Sequence, residues 1–486
     1  MKGIILFLFL LFVLFPSFAN AQTVTLDDFF QQVQANHPFF KKEALSSDIE
    51  RKEQERFLGD QDWIIRSNPY YAHEENAKSG SFFPDEVDKA GINAAIERTY
   101  WKTGGQLSFA YDYTKTDQDA DDIVIPFNGL SATIPGDSGI FHENAFTATY
   151  SQPLLQNRGG ILSRLNYELQ GFNITGTDLV VIENQENFLL DVGDRFLDWV
   201  LLTEQRSILY KRLELAKEEW ERMRKKRKQN LVDEVDVIRA RDAVLSAEQN
   251  VLSVEAGWKA KKAELTTIAQ YEKQEDFNPQ YDLYSLVALP AVENAIGQLK
   301  QASRVLNVFK VRIRQLEHRK RGLIEQSKPQ LDFNISGGLK SGDEHYGESY
   351  DYDKPQFLAS LSFSYPLGNT TARADILKTE LQKDQVREDM KSVGLELESS
   401  LKNLMTQIKE LEKVLAINKE QVMVAKERTK AELYRYNQGR IELTFVIQSR
   451  DNEQNVQLIH AKNGVVYHKL VLRYRALMDS LLESGI

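Results

Sequence analysis

The sequence predicts a mostly α-helical chain with a minority of membrane-type β-strands, built as two copies of one plan: helix, strands, one very long helix, a tight turn and a long returning helix. Three observations carry this reading. The run Gln229-Asn230-Leu231-Val232-Asp233, followed by Val237-Ile238 and Arg241-Asp242, returns 209 residues later as Gln438-Gly439-Arg440-Ile441-Glu442, followed by Val446-Ile447 and Arg450-Asp451. Residues 158–227 and 370–437 contain almost no helix breakers beyond scattered glycines, and Leu397, Leu401, Leu404, Ile408, Leu411 and Leu415 step by four and three, the period of a coiled-coil seam. Short segments elsewhere alternate apolar and polar residues at every second position.

Composition narrows the setting. The 486 residues carry a net charge of -10, with 42% hydrophobic and 27% charged residues and a mean hydropathy of -0.44, so the average looks water-soluble. The long apolar run at 4–15 falls well short of the ~20 residues a membrane helix needs. It follows a basic start and leads to Ala19-Asn20-Ala21, the pattern of a secretory signal peptide over 1–21 with a mature start at Gln22. The chain has no cysteine, which removes disulfides, thiolate metal sites, thiol nucleophiles and a lipid-modified cysteine. Export and negative charge argue against a nucleic-acid partner. The basic cluster Arg222, Arg224, Lys225, Lys226, Arg227 and Lys228 reads as cations on the last turn of a helix.

The first repeat is expected over 22–275 and the second over 276–486. Copy one opens with Thr25 as N-cap and Asp28 three residues on, ahead of a helix that passes Pro38 and runs to about Leu58. Copy two opens near Pro290, a first helical position, and runs to about Ser327. Two more matches keep the same order. Tyr150-Ser151-Gln152-Pro153-Leu154 returns as Phe363-Ser364-Tyr365-Pro366-Leu367, and Ser67-Asn68-Pro69 as Ser327-Lys328-Pro329. Strands of the second copy lie within 329–366: Leu331, Phe333 and Ile335 share one face, as do Phe357, Ala359, Leu361, Phe363 and Tyr365. In the first copy Leu107, Phe109, Tyr111 and Tyr113 do the same, and 144–151 is a weaker strand.

Dyads of about ten residues fit membrane-barrel strands and equally a half-buried soluble sheet. Acidic loops at one end of the strands and helices at the other favour the bilayer. Asp117-x-Asp119-x-Asp121 lacks the glycine and the closing glutamate of a calcium loop and reads as a solvated loop. Copy one also carries an insertion, 74–140, and has two candidates for its outgoing strand, 63–73 and 106–114. Either 74–103 is an extracellular excursion, or each chain adds a hairpin that turns at Gly104-Gly105 into 106–114.

After the turns at Asn230 and Gly439, residue types suited to a left-handed helix ending, the chain returns with Val244, Leu245, Val251 and Leu252, and later Val456, Ile459, Val466, Leu470 and Leu477, expected on the inner side. Seventy helical residues would reach ~105 Å, wider than an ordinary core. Four strands cannot close a barrel, and open strand edges cannot face lipid. Several chains must therefore pool their strands, which makes a multimeric conduit.

The duplicated plan, the turns at Asn230 and Gly439 followed by Val-Ile-x-x-Arg-Asp, and Ser151-Gln152-Pro153-Leu154-Leu155 echoed by Ser364-Tyr365-Pro366-Leu367-Gly368 resemble the TolC family of outer-membrane efflux and secretion channels. The resemblance implies a homotrimer in the outer-membrane lipids, with four strands per chain in a twelve-stranded transmembrane β-barrel continuous with a trimeric α-helical barrel. It implies passive conduction in a tripartite efflux pump or type I secretion system, with a periplasmic adaptor (membrane fusion) protein and an inner-membrane pump as partners. Carried over by position, Lys226, Asn230, Leu231, Arg435, Gly439 and Arg440 would meet the adaptor, and Tyr436 and Asp236 would belong to the closing network. The family's narrowing carboxylate ring does not carry over: Phe445 and Gln448 stand there. Phe445 is then an apolar constriction or an ordinary packing residue.

Two rivals remain. An enzyme would need a constellation, yet the seven histidines (37, 73, 142, 318, 345, 460, 468) are scattered without metal-ligand spacing, and no phosphate loop or nucleophile elbow occurs. No catalytic residue, metal or cofactor is therefore expected. A periplasmic coiled-coil adaptor or scaffold without a pore would carry a single hairpin, not two duplicated halves. The cargo is not legible in these residues.

Overall fold

The computed structural model describes residues 22–75, 84–128, 130–136, 138–271 and 277–482; the expected signal peptide lies outside them. In chain order the elements are β1 (Gln22–Val24), α1 (Leu26–Asn36), α2 (Pro38–Arg56), β2 (Ile64–Glu75), β3 (Glu86–Thr99), β4 (Gln106–Asp119), β5 (Ile123–Phe127), β6 (Leu130–Ile134), β7 (Gly139–Pro153), α3 (Leu165–Lys228), α4 (Glu234–Ala269), β8 (Phe277–Pro279), α5 (Val292–Ala302), α6 (Arg304–Gln326), β9 (Gln330–Asp343), β10 (Lys354–Ser364), α7 (Thr370–Asn437) and α8 (Leu443–Leu477). They form two compact units. One holds the chain up to Ala44, Ile182–Arg304 and the residues from Gly394; the other holds Leu45–Val181 and Val305–Val393. The long helices α3 and α7 contribute to both.

The first unit is helical. Thr25 caps α1 as its spacing implies, its hydroxyl accepting from the Asp28 amide at 3.2 Å while the Asp28 carboxylate accepts from the Thr25 amide. That start places Phe29 and Val33 in a core with Phe196 and Trp199 of α3, Trp258 of α4 and Leu472 of α8. Rings meet at 5.3 Å between Phe29 and Phe196 and at 6.4 Å between Trp199 and Trp258, each such buried side chain contributing about 1.5–3 kcal/mol. A second core joins Leu401, Met405 and Ile408 of α7 to Tyr467, Leu470 and Val471 of α8 and to Ala295 and Leu299 of α5. The heptad seam read along α7 is thus buried where it meets α8.

Several expectations need correcting. The first helix does not pass Pro38: His37 is extended (φ -71°, ψ 128°) and Pro38 opens α2, because the ring of a proline disfavours helical backbone at the residue before it. The helix of copy two breaks likewise at Ser303 (ψ 122°), between α5 and α6. Residues 158–164 form turns ahead of α3, with Gly159 and Gly160 at positive φ. On the returning helices Val244, Val251 and Leu470 are buried, but Leu245, Leu252, Ile459 and Val466 are exposed.

The second unit is built on one antiparallel sheet, ordered β10-β9-β7-β4-β3-β2. Among the described residues this sheet has six strands, where the resemblance implies four per chain. Within 74–103, residues 86–99 are not an excursion: they form β3, which returns through the sheet between β2 on one side and β4 on the other. The turn into β4 falls at Gly104 (φ 73°), where a Cβ would meet the Asn157 carbonyl at 2.4 Å, so only glycine fits.

Register explains the two faces. Phe357, Gly337, Ala148, Phe109, Ile96 and Ile65 lie opposite one another across all six strands, and Leu339, Phe146, Tyr111 and Ala94 form a parallel row. The other face carries Arg66, Glu97, Ser108, Thr149 and Ser336, with Arg66 bridging to Glu97 at 2.5 Å and Lys340 to Glu143 at 2.8 Å. Strands β2, β7, β9 and β10 adjoin helical or turn segments at one end; the acidic loops and the β5–β6 hairpin lie at the other. There Tyr113, Tyr346 and Tyr350 pack edge to face.

Candidate functional site

The duplicated turns are built alike, and the chemistry of helix ends explains why. At the end of α3 the Leu231 amide donates to the Lys226 carbonyl (3.0 Å) and the Asn230 amide to that of Arg227 (2.9 Å); at the end of α7 the Arg440 amide donates to Arg435 (3.0 Å) and the Gly439 amide to Tyr436 (2.9 Å). Each pair satisfies two carbonyls the ending helix would otherwise orphan, and each requires a left-handed residue at the same place. Asn230 (φ 55°) and Gly439 (φ 68°) supply it, the two residue types that reach that region at least cost. The last turn of α3 carries Lys225, Lys226, Arg227 and Lys228, as expected of a helix C-terminus. Arg227 also reaches over the turn to Glu234 at 3.2 Å.

Behind the turns lies a small core of Met223, Ala240, Tyr436, Leu443 and Val446. Tyr436 is buried there, its hydroxyl donating to the Met223 sulfur at 3.1 Å and its ring lying under the Lys226 ammonium at 4.5 Å. Burial, then the charges of Asp236 and Glu219, push its phenol above the ordinary value, with Arg222 opposing. The structure thus brings Tyr436, Lys226 and Asp236 to one place. Asp236 itself pairs with Arg239 at 3.6 Å. Asn230, Leu231, Arg435, Gly439 and Arg440 stand exposed around the turns.

Phe445 and Gln448 lie one turn apart on the exposed face of α8, Phe445 with 51% of its surface free. Neither belongs to the buried core behind the turns. Gln448 lines a groove of about 550 Å³ with Arg239 and Asp242 of α4 and Arg212 of α3.

A pair that sequence reading missed holds the same region together. Arg450 and Glu219 meet at 2.9 Å with side chains only 6% and 4% exposed, and Arg450 donates as well to the Leu215 carbonyl at 3.1 Å. Desolvation pushes the Arg450 guanidinium below its ordinary value, and Glu219 works against this. Next along α8, Asp451 accepts from Arg212 at 2.7 Å. The signal was present: Arg450-Asp451 is the repeated Arg-Asp dipeptide. Its counterpart, Arg241-Asp242, lies exposed, so repetition alone could not tell which copy is pinned to α3.

No protein-family profile matches the chain, and no curated protein does. Solved structures match over most of its length. It is similar to CusC, a protein that forms a transmembrane channel, with a TM-score of 0.65 at 9% identity over 94% of this chain and 92% of that one. It is similar also to the MtrE outer-membrane channel of Neisseria gonorrhoeae (TM-score 0.65, 11% identity, 94% and 89% covered) and to the outer-membrane protein VceC of Vibrio cholerae (TM-score 0.62, 9% identity, 94% and 96% covered). At these identities the likeness is one of fold, and it bears out at that level the resemblance to the TolC family: the chain has the fold of the outer-membrane channels.

Proposed function

We propose that the chain is the outer-membrane conduit of a tripartite efflux pump or type I secretion system, conducting cargo passively from the periplasm to the exterior and performing no catalysis itself. The observation that carries this is the apolar row running unbroken from Phe357 to Ile65 across the sheet, opposite a polar face with ion pairs. Strands of 11 to 15 residues suffice to cross a bilayer, and aromatic clusters such as Tyr113–Tyr346–Tyr350 resemble the girdles of barrels at the lipid boundary. The exposed strand edges then call for further copies, and we take the assembly to be a homotrimer. Exposed Val235, Ile238, Leu245 and Leu252 on α4 step by three and seven, a heptad stripe left for a neighbouring helix. A helical barrel of such hairpins, continuous with the shared β-barrel, follows.

At the turns, Lys226, Asn230, Leu231, Arg435, Gly439 and Arg440 are the proposed contacts for a periplasmic adaptor, through which an inner-membrane pump supplies the energy. Tyr436 and Asp236 support the closed arrangement, and Phe445 with Gln448 forms a partly apolar constriction that widens when the helices splay. The test is fractionation of cells producing the full chain. The protein should stay with the outer membrane and require detergent for release; recovery from the soluble periplasm would instead favour a coiled-coil scaffold without a pore.

A further inference from the structure

The β2–β3 hairpin has the construction of wall. Its Ile65 and Ile96 extend the apolar row of the other strands, and its Arg66, Asn93 and Glu97 extend their polar face, with Asn93 donating to Asp112 on β4. The pairing is continuous: β2 is bonded along its length to β3, and β3 to β4. A decoration folded over the outside of a four-stranded wall would not keep this register or this alternation.

The sheet therefore ends at β2 on one side and β10 on the other. Both strands are exposed along nearly their whole length, and they have similar lengths, 12 and 11 residues. Every neighbouring pair is antiparallel and the strand count is even, so β2 and β10 run in opposite directions. Laying β10 of one copy beside β2 of the next continues the antiparallel pattern without a break. In hydrocarbon, neither edge can be left without hydrogen-bond partners.

The geometry points to a ring in which β10 of each copy pairs with β2 of the next, so that three copies of this six-stranded sheet close an eighteen-stranded barrel. This rests on the trimeric conduit proposed above and changes its bore. Barrel diameter grows roughly linearly with strand number, so the lumen is about half as wide again as that of a twelve-stranded ring, in the size class of porins that hold an aqueous channel. The lumen face mixes Arg66, Glu97, Glu143 and Lys340, wet and of both signs. The membrane segment is then an open pore for large cargo, and control of passage falls to the helical part of the chain.

The absence of native cysteine gives a clean test, because introduced thiols report only on their own positions. In full-length protein in outer membranes, Ser360→Cys on β10 is combined in turn with Arg66→Cys, Asn68→Cys and Tyr70→Cys on β2, the three positions allowing for the stagger of the ring. Mild oxidation should give covalent dimers and trimers on a non-reducing denaturing gel for at least one pair. In a parallel set, Ser360→Cys is combined with Ala110→Cys or Asp112→Cys on β4. Linking through β4, or a trimer that links through neither strand, overturns the eighteen-stranded ring and leaves the conduit standing. A chain that proves monomeric after gentle extraction overturns the conduit reading as well.

Discussion

Replacing Glu219 by leucine should loosen the region behind the turns, and the size of the effect follows from burial. The Arg450–Glu219 pair is almost wholly out of solvent, at 6% and 4% side-chain exposure, whereas Asp451, which pairs with Arg212, is 58% exposed. Water reaches the Asp451 carboxylate and screens that contact, although its partner Arg212 is only 8% exposed. Losing Glu219 strands a buried guanidinium and costs about 3–5 kcal/mol. The pair is also imperfectly satisfied, since Arg450 Nε and Glu219 Oε1 have no protein hydrogen-bond partner among the described residues, so its attraction does not fully offset its desolvation. It follows that Glu219→Leu combined with Arg450→Met should lie close to the wild type, both charges being gone. Amide hydrogen exchange over the first turns of α8 reads this out: at 1.4 kcal/mol per factor of ten, the single variant should exchange about two to three and a half decades faster. If the single and double variants exchange alike, or the single variant is indistinguishable from wild type, the pair is not what holds α8 to α3.

Two further outcomes bear on the proposed sites. Phe445→Ala or Gln448→Ala should raise single-channel conductance in planar bilayers, because both side chains stand on the exposed face of α8; unchanged conductance would remove them from the constriction. Joint charge reversal, Lys226→Glu with Arg435→Glu, should reduce recovery of the adaptor in pull-down at least tenfold, equivalent to about 1.4 kcal/mol of binding, and normal recovery would refute the adaptor assignment.

Much of the chain was legible because local chemistry dictated it. Asn230 and Gly439 announce helix ends, since few other residues accept a left-handed backbone. The dyads of β4, β9 and β10 are strong because their apolar members are large, and the capping box at Thr25 is complete within four residues. The break at His37 was legible too, through the proline after it, and was outweighed by the helical pattern on either side.

What the sequence by itself determined, then, are the turns and the alternating strands, both encoded within a few residues or one helical period. What only the tertiary structure decided are the sixth strand of the sheet and the partner of Arg450. Strand β3 reads Glu-Val-Asp-Lys-Ala-Gly-Ile-Asn-Ala-Ala-Ile-Glu-Arg-Thr, poor in strand formers. It is held by neighbours on both sides, with Gly91 so close to Tyr113 that a Cβ would meet its carbonyl at 2.4 Å. Arg450 meets Glu219 from the far copy of the repeat. Both depend on contacts between segments distant in the chain, where pairing and burial override local propensity.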